Sequence, residues 1–132
     1  METTTQPSES IADFFARYTG YLTDGNLDGL AAIYHYPALA VSPRGILVIT
    51  DPQQTRAFFA QGREFYHGRQ IMAVRPNDIV TDIEVGTIWV GHLVLENLDR
   101  EGNLVDRERN AYQVVTVPDG SRRIAVTTPL DA

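Results

Sequence analysis

The run Thr87-Ile88-Trp89-Val90-Gly91-His92-Leu93-Val94-Leu95 carries apolar side chains at both parities. A strand with one face in water alternates apolar and polar residues, so a strand of this composition is covered on both faces. Helices of the same chain supply one cover. A second copy of the chain is the simplest second cover, and the run therefore implies a homodimer through the outer sheet face.

The segments around this run fix its setting. From Gln70 onward the pattern is β: QIMAV, IVTDIEV, GTIWVGHLVLENL, the turn Asp99-Arg100-Glu101-Gly102-Asn103, LVDRERNAYQVVTV, the tight turn Pro118-Asp119-Gly120, and RRIAVTT. Before it, helices dominate. Ser10 and Asp13 have capping-box spacing, and Ile11, Phe14, Phe15, Tyr18 and Leu22 recur at three and four, which predicts a helix over about 10–23. Asp24-Gly25-Asn26 stops it and restarts a second helix with Leu27, Leu30, Ala31 and Tyr34 on its apolar side. Pro37 ends that helix. ALAV and ILVIT read as a hairpin turned by Ser42-Pro43-Arg44-Gly45. Asp51-Pro52 then opens a third helix over about 52–66 that should bury Phe58, Phe59 and Phe65 and end at Gly68.

The chain has 132 residues, 43% of them hydrophobic, which suits one domain with a sizeable core. Residues 1–9 read as a flexible N-terminal arm and 10–132 as a single domain. The arm lacks the basic start and apolar run of a signal peptide, and no later segment approaches a membrane span, so a soluble, cytoplasmic protein without a membrane partner is expected. A net charge of −6, with acidic residues spread along the chain, lacks the footprint of a nucleic-acid binder. The chain contains no cysteine and no lysine, all 11 basic residues being arginine. Thiolate nucleophiles, zinc-thiolate sites, lysine Schiff bases and lysine-dependent phosphate loops are therefore excluded. His35, His67 and His92 show no spacing that suggests a metal site, and no nucleophile elbow anchors a Ser-His-Asp triad.

The order of elements, the helix pair ending in Tyr36-Pro37, the hairpin ending in Gly45, the capped third helix and the closing meander with its Asp119-Gly120 turn together resemble the nuclear transport factor 2-like superfamily. This superfamily includes SnoaL-like polyketide cyclases, ketosteroid isomerases, scytalone dehydratase and limonene epoxide hydrolase. The resemblance covers residues 10–130 and implies an α+β fold: three N-terminal helices packed in a strongly curved, mainly antiparallel sheet of about six strands, a cystatin-like conical barrel around an apolar pocket. The segment ARYTGYLTDGNLDGLAAIYHY looks most like the start of a ketosteroid isomerase, which implies that Tyr18 donates a hydrogen bond to a developing oxyanion. The base of those enzymes would fall near Ser42 and their acidic partner near Gln113, so steroid isomerisation is not expected.

A polar group inside an apolar cone is costly unless paired, so inward polar residues are the candidate ligand contacts. His35, near the cone mouth in the family geometry, and His92, mid-strand, are candidate proton carriers beside Tyr18, each against a structural alternative: a helix-end histidine and a buried interface histidine. Tyr36, Trp89, Glu108, Arg109, Asn110 and Tyr112 are the candidate substrate contacts. Alternation puts Glu108, Asn110 and Tyr112 on one face and Arg107, Arg109 and Gln113 on the other, without fixing which is inward. An inward Glu108 could orient His92 across the sheet, an inward Arg109 could meet a carboxylate or epoxide oxygen, and the alternative to both is a solvated charge ladder. The resulting expectation is a SnoaL-like protein that binds a small apolar organic molecule and performs cofactor-free acid/base chemistry (isomerisation, cyclisation, dehydration or hydration), with no metal. The alternative is a binding or dimerisation module of the same fold without turnover.

Overall fold

The computed structural model describes residues 5–131. Helix α1 spans Ile11–Asp24, α2 Leu27–Ile33 and α3 Pro52–Gly68; the strands are β1 Tyr34–Ser42, β2 Gly45–Ile49, β3 Ala73–Val85, β4 Ile88–Leu98, β5 Leu104–Thr116 and β6 Arg122–Pro129. Each helix starts where a side chain satisfies an orphan amide. Ser10 Oγ accepts from the Asp13 amide at 3.1 Å, Asn26 Oδ1 from Gly29 at 2.9 Å and Asp51 Oδ1 from Gln54 at 3.0 Å. Gly25 closes α1 in the left-handed region (φ 67°) and donates its amide to the Tyr21 carbonyl.

The second helix stops at Ile33, before the predicted Tyr34 turn, because Tyr34 already has extended backbone and pairs with Ile124 in the β1–β6 ladder. The six strands form one sheet in the order β2-β1-β6-β5-β4-β3. All neighbours are antiparallel except β1 and β6. The sheet curves around the helices but does not close into a barrel, since β2 and β3 remain edges. The segments QIMAV and IVTDIEV, read as two strands, are largely one: β3 runs on through register shifts at Asn77/Val80 and Thr81/Ile83, with Asp78 at φ 50° absorbing the bend.

The core lies where α1 crosses the inner face of the sheet. Phe15 is fully buried, with ring centroids 5.1 Å from Phe14, 5.6 Å from Trp89 and 5.1 Å from Tyr112. Each such aromatic contributes roughly 2–3 kcal/mol by leaving water. Trp89 satisfies its indole N–H on Thr81 Oγ1 at 2.8 Å. The far end of α1 is tied to β3, where Thr23 Oγ1 accepts from the Val74 amide at 3.0 Å and donates to its carbonyl at 3.2 Å.

Of the arm expected over 1–9, residues 1–4 lie outside the described residues. Ser8 and Glu9 are anchored: the Ser8 amide donates to the Gly120 carbonyl, and Glu9 pairs with Arg17. No helix among the described residues is long and apolar enough to cross a membrane.

Candidate functional site

Inside the cone, between α1, α3 and the inner faces of β4 and β5, lies a cavity of about 950 Å³. Leu22, Leu30, Phe59, Val74 and Leu95 give it apolar walls, and its rim carries Ile46 and Leu47 of β2 with Phe58 and Phe65 of α3. The rim residues are exposed, Phe58 by 57% and Phe65 by 65%, so the third helix does not bury them as its sequence predicts. Only Phe59 of that trio packs against the core. The helix is rotated so that Phe59 and Tyr66, seven residues apart and thus on one face, look into the cone.

Two polar groups of side chains break the apolar lining. The first is a phenol cluster. The Tyr18 and Tyr34 hydroxyls are 3.3 Å apart, and Asn110 Nδ2 donates to the Tyr112 hydroxyl at 3.2 Å. All three rings are buried and line the cavity. Burial pushes the Tyr18 phenol well above its ordinary value, with Tyr112 and Tyr34 adding to it, and pushes Tyr34 up as well. For Tyr112, burial wins over the opposing hydrogen bonds from Asn110 and Tyr18 and raises the phenol to about 12. The cluster stays protonated at neutral pH and offers O–H donors to the cavity.

The second group surrounds Glu108. Its Oε2 accepts from the Tyr66 hydroxyl at 2.5 Å and from Asn97 Nδ2 at 3.0 Å. Asn97 also donates to Asp106 Oδ1 at 2.7 Å, and Asp106 is paired with Arg69. Burial raises Asp106, but the bonds from Asn97 and Arg69 outweigh it and hold this carboxyl below its ordinary range. Burial, then the bond to Glu108, pushes the Tyr66 phenol up. Glu108 Oε1 accepts no hydrogen bond from the described residues. Glu108, Asn110 and Tyr112 occupy successive inward positions of β5, roughly 7 Å apart, so a carboxylate and a set of phenols look into the same cavity from different depths.

Of the residues expected to meet a substrate, Tyr18, Glu108, Asn110 and Tyr112 line the cavity. The others do not. His35 sits outside the cavity lining, in β1 rather than at a helix end, with Nδ1 3.0 Å from the Pro37 carbonyl. Tyr36 donates to the Ala31 carbonyl at 2.7 Å and takes a bond from Thr55 at 2.7 Å, which locks its hydroxyl between α2 and α3. Trp89 points inward but lies under Phe15 in the core, outside the lining. His92 stands on the outer face, because β4 turns Trp89, Leu93 and Leu95 to the helices and leaves Val90, His92 and Val94 outside; there its Nδ1 is 2.9 Å from Asp82. A Glu108–His92 dyad is therefore excluded by parity: Leu95 faces Glu108 across the ladder and Ala111 faces His92. Arg109 is also outward, paired with Asp131 at 3.0 Å, and cannot meet a ligand in the cone. Ser42 lines the cavity, whereas Gln113 is exposed on the outer side of β5.

Sequence reasoning missed Tyr66, Tyr34 as a cavity group, and Asn97. The spacing of Phe59 and Tyr66 was a usable signal for the first. Nothing in the local pattern singles out Asn97, whose role comes from facing Asp106 across β4 and β5. Among the described residues no three His, Asp or Glu side chains are placed to hold a metal ion.

An open curved sheet wrapped around three helices, with an apolar cavity between them, defines a cystatin-like α+β domain. The chain belongs to the NTF2-like protein family DUF6841, whose model matches residues 7–132. No curated protein gives a match. Similar solved structures include a protein of unknown function with a cystatin-like fold from Nostoc punctiforme, 13% identical with a TM-score of 0.72 over 90% of this chain and 86% of that one. Aln2 from a Streptomyces species is 14% identical, with a TM-score of 0.71 over 94% and 92% of the two chains. An NTF2-like protein with a cystatin-like fold from Novosphingobium aromaticivorans is 16% identical, with a TM-score of 0.67 over 92% and 80%. At these identities the likeness establishes the fold alone.

Proposed function

We propose that the chain binds a small, mainly apolar organic molecule in the cone and performs cofactor-free acid/base chemistry on it. The observation that carries this reading is that Glu108 and the Tyr18, Tyr34 and Tyr112 phenols line one apolar cavity. A proton leaving the ligand passes to Glu108 Oε1, and the O–H groups of the phenol cluster meet the charge that develops on a ligand oxygen. The proton carrier is thus the carboxylate rather than His35 or His92. Isomerisation, cyclisation, dehydration and hydration all fit such a pair. The competing reading, a binding module without turnover, draws on the two donors that already hold Glu108 Oε2 and make it a fixed hydrogen-bonding group of the wall.

A fragment screen by protein NMR, followed by product analysis on each hit, tests the proposal. Hits that shift the Leu95, Asn110 and Tyr112 amides and are converted by the wild type but not by Glu108→Gln support it. Binding without conversion in both forms leaves the module reading, and the absence of any cavity hit overturns the proposal.

The same reading includes a homodimer through the outer sheet face. Val80, Ile83, Val85 and Ile88 are exposed there, at 42%, 56%, 63% and 42%, beside the outward Val90 and Val94. Leaving such a patch in water is unfavourable, and patches of this kind mark interfaces. Sedimentation equilibrium tests it; a monomer at tens of micromolar would rule it out.

A further inference from the structure

We propose that the ligand of the cone is an apolar amine whose protonated nitrogen meets Glu108 Oε1, an inference that rests on the reading of the cavity as a small-molecule site. Acceptors outnumber donors at this end of the cavity. Glu108 Oε1 takes no bond from the described residues, and beside it Asn97 Oδ1, fully buried and outside the cavity lining, has no donor among them either. Tyr66 has one proton and gives it to Oε2. The group that completes this site must therefore donate.

Charge selects among donors. Arg69 pairs with Asp106 and reaches Glu108 only through its longer-range field, so no cationic side chain among the described residues is in contact with the Glu108 carboxylate. The other cationic or titratable side chains along the lining are committed or peripheral: Arg63 gives Nη1 to the Leu22 and Thr23 carbonyls at the end of α1, Arg44 is exposed in the β1–β2 turn, and His67 lies in the last turn of α3. A ligand body that fills the apolar cavity strips water from Oε1, and a carboxylate losing its water is best compensated by a charge-assisted bond. The walls agree with this choice. Phe59 and Tyr66 line the cavity, and aromatic faces attract an ammonium. The net charge of −6 draws cations toward the protein as a whole.

Three probes with one body and different heads test the inference: 4-phenylbutylamine, 4-phenylbutan-1-ol and 4-phenylbutyrate, each titrated into the full chain and followed by amide NMR shifts. The amine should bind about tenfold more tightly than the alcohol, with the carboxylate weakest, the margin of one charge-assisted hydrogen bond. In Glu108→Gln, which keeps an acceptor for Tyr66, the amine should fall to the level of the alcohol while the alcohol changes less than about twofold. An alcohol that binds as well as the amine in the wild type, or an amine preference that survives Glu108→Gln, overturns the amine assignment and leaves the cavity reading intact. So does an amine that shifts only surface amides away from Leu95 and Tyr112. If none of the three probes shifts the Leu95 and Tyr112 amides, both readings fall together.

Discussion

The Tyr66 hydroxyl donates to Glu108 Oε2 at 2.5 Å, a single bond that ties the last turns of α3 to the middle of β5. It joins residues 42 positions apart and sets the orientation of the cavity carboxylate. Tyr66→Phe removes the donor and keeps the ring. The variant should lose about 1.5–3 kcal/mol of stability in urea unfolding, the usual range for a hydrogen bond to a charged group. A loss below a few tenths of a kcal/mol would show that the bond does not hold α3 in place.

Alkaline titration should report the phenol cluster. Tyr18, Tyr34, Tyr66 and Tyr112 all have their phenols pushed up in the fold, Tyr112 to about 12. A folded value above the unfolded one favours the protonated form in the folded state, so the associated stability is fully present below about pH 10 and is lost as pH rises toward 12. Absorbance near the tyrosinate band should show these four phenols ionising late, together with the loss of the folded signal. Ionisation of these four phenols near pH 10 in the folded protein would contradict the burial of the cluster.

Gly91 occupies an inward position of β4 where a Cβ would collide with the Val80 carbonyl and the Trp89 ring. Neither can yield easily, one being backbone and the other a fully buried indole. Gly91→Ala should therefore destabilise by about 1–3 kcal/mol, as overpacking does. Thermal unfolding measures this, and a neutral outcome would mean that the close approach of β3 to β4 is looser than described.

His92 and Val90 lie outside the cone, so substitutions there should act on association and spare the cavity. His92→Ala should leave the affinity of any cavity ligand within about twofold of wild type, because its imidazole lies on the outer face against Asp82. Val90→Glu should convert the proposed dimer to monomer in sedimentation equilibrium, a desolvated carboxylate at an apolar contact being strongly unfavourable. A tenfold loss of cavity binding in His92→Ala would contradict the outward placement.

The fold was legible because its signals are local. Ser10, Asn26 and Asp51 each cap a helix with their own side chains, and Gly25 closes one by its backbone, so helix positions follow from neighbours a few residues apart. The site was only half legible because its geometry depends on parity and rotation. Alternation sorted Glu108, Asn110 and Tyr112 from Arg107 and Arg109, but a one-residue shift inverts the two sets, and only the packing of Trp89 and Leu93 against α1 decides which faces inward. The third helix carries aromatics on more than one side, so composition favours burial of Phe58, Phe59 and Phe65 alike, whereas the fold turns Phe59 and Tyr66 inward and leaves Phe58 and Phe65 exposed. An imidazole can carry a proton wherever it stands, which says nothing about where His35 and His92 point.

The strand order has a kinetic meaning. Strand β6 lies between β1 and β5, the last strand of the chain bridging the first hairpin to the rest of the sheet. Until residues 122–129 dock, β2-β1 and β5-β4-β3 are two fragments with no shared ladder, and the cone has no complete wall. The pairing of Tyr34 with Ile124 closes a loop of nearly the whole domain, the kind of nonlocal step that slows folding. Pulsed hydrogen exchange during refolding should then protect the β3–β5 amides before those of β1, and a ribosome-bound chain ending at Val117 should expose the inner faces that the finished cone encloses.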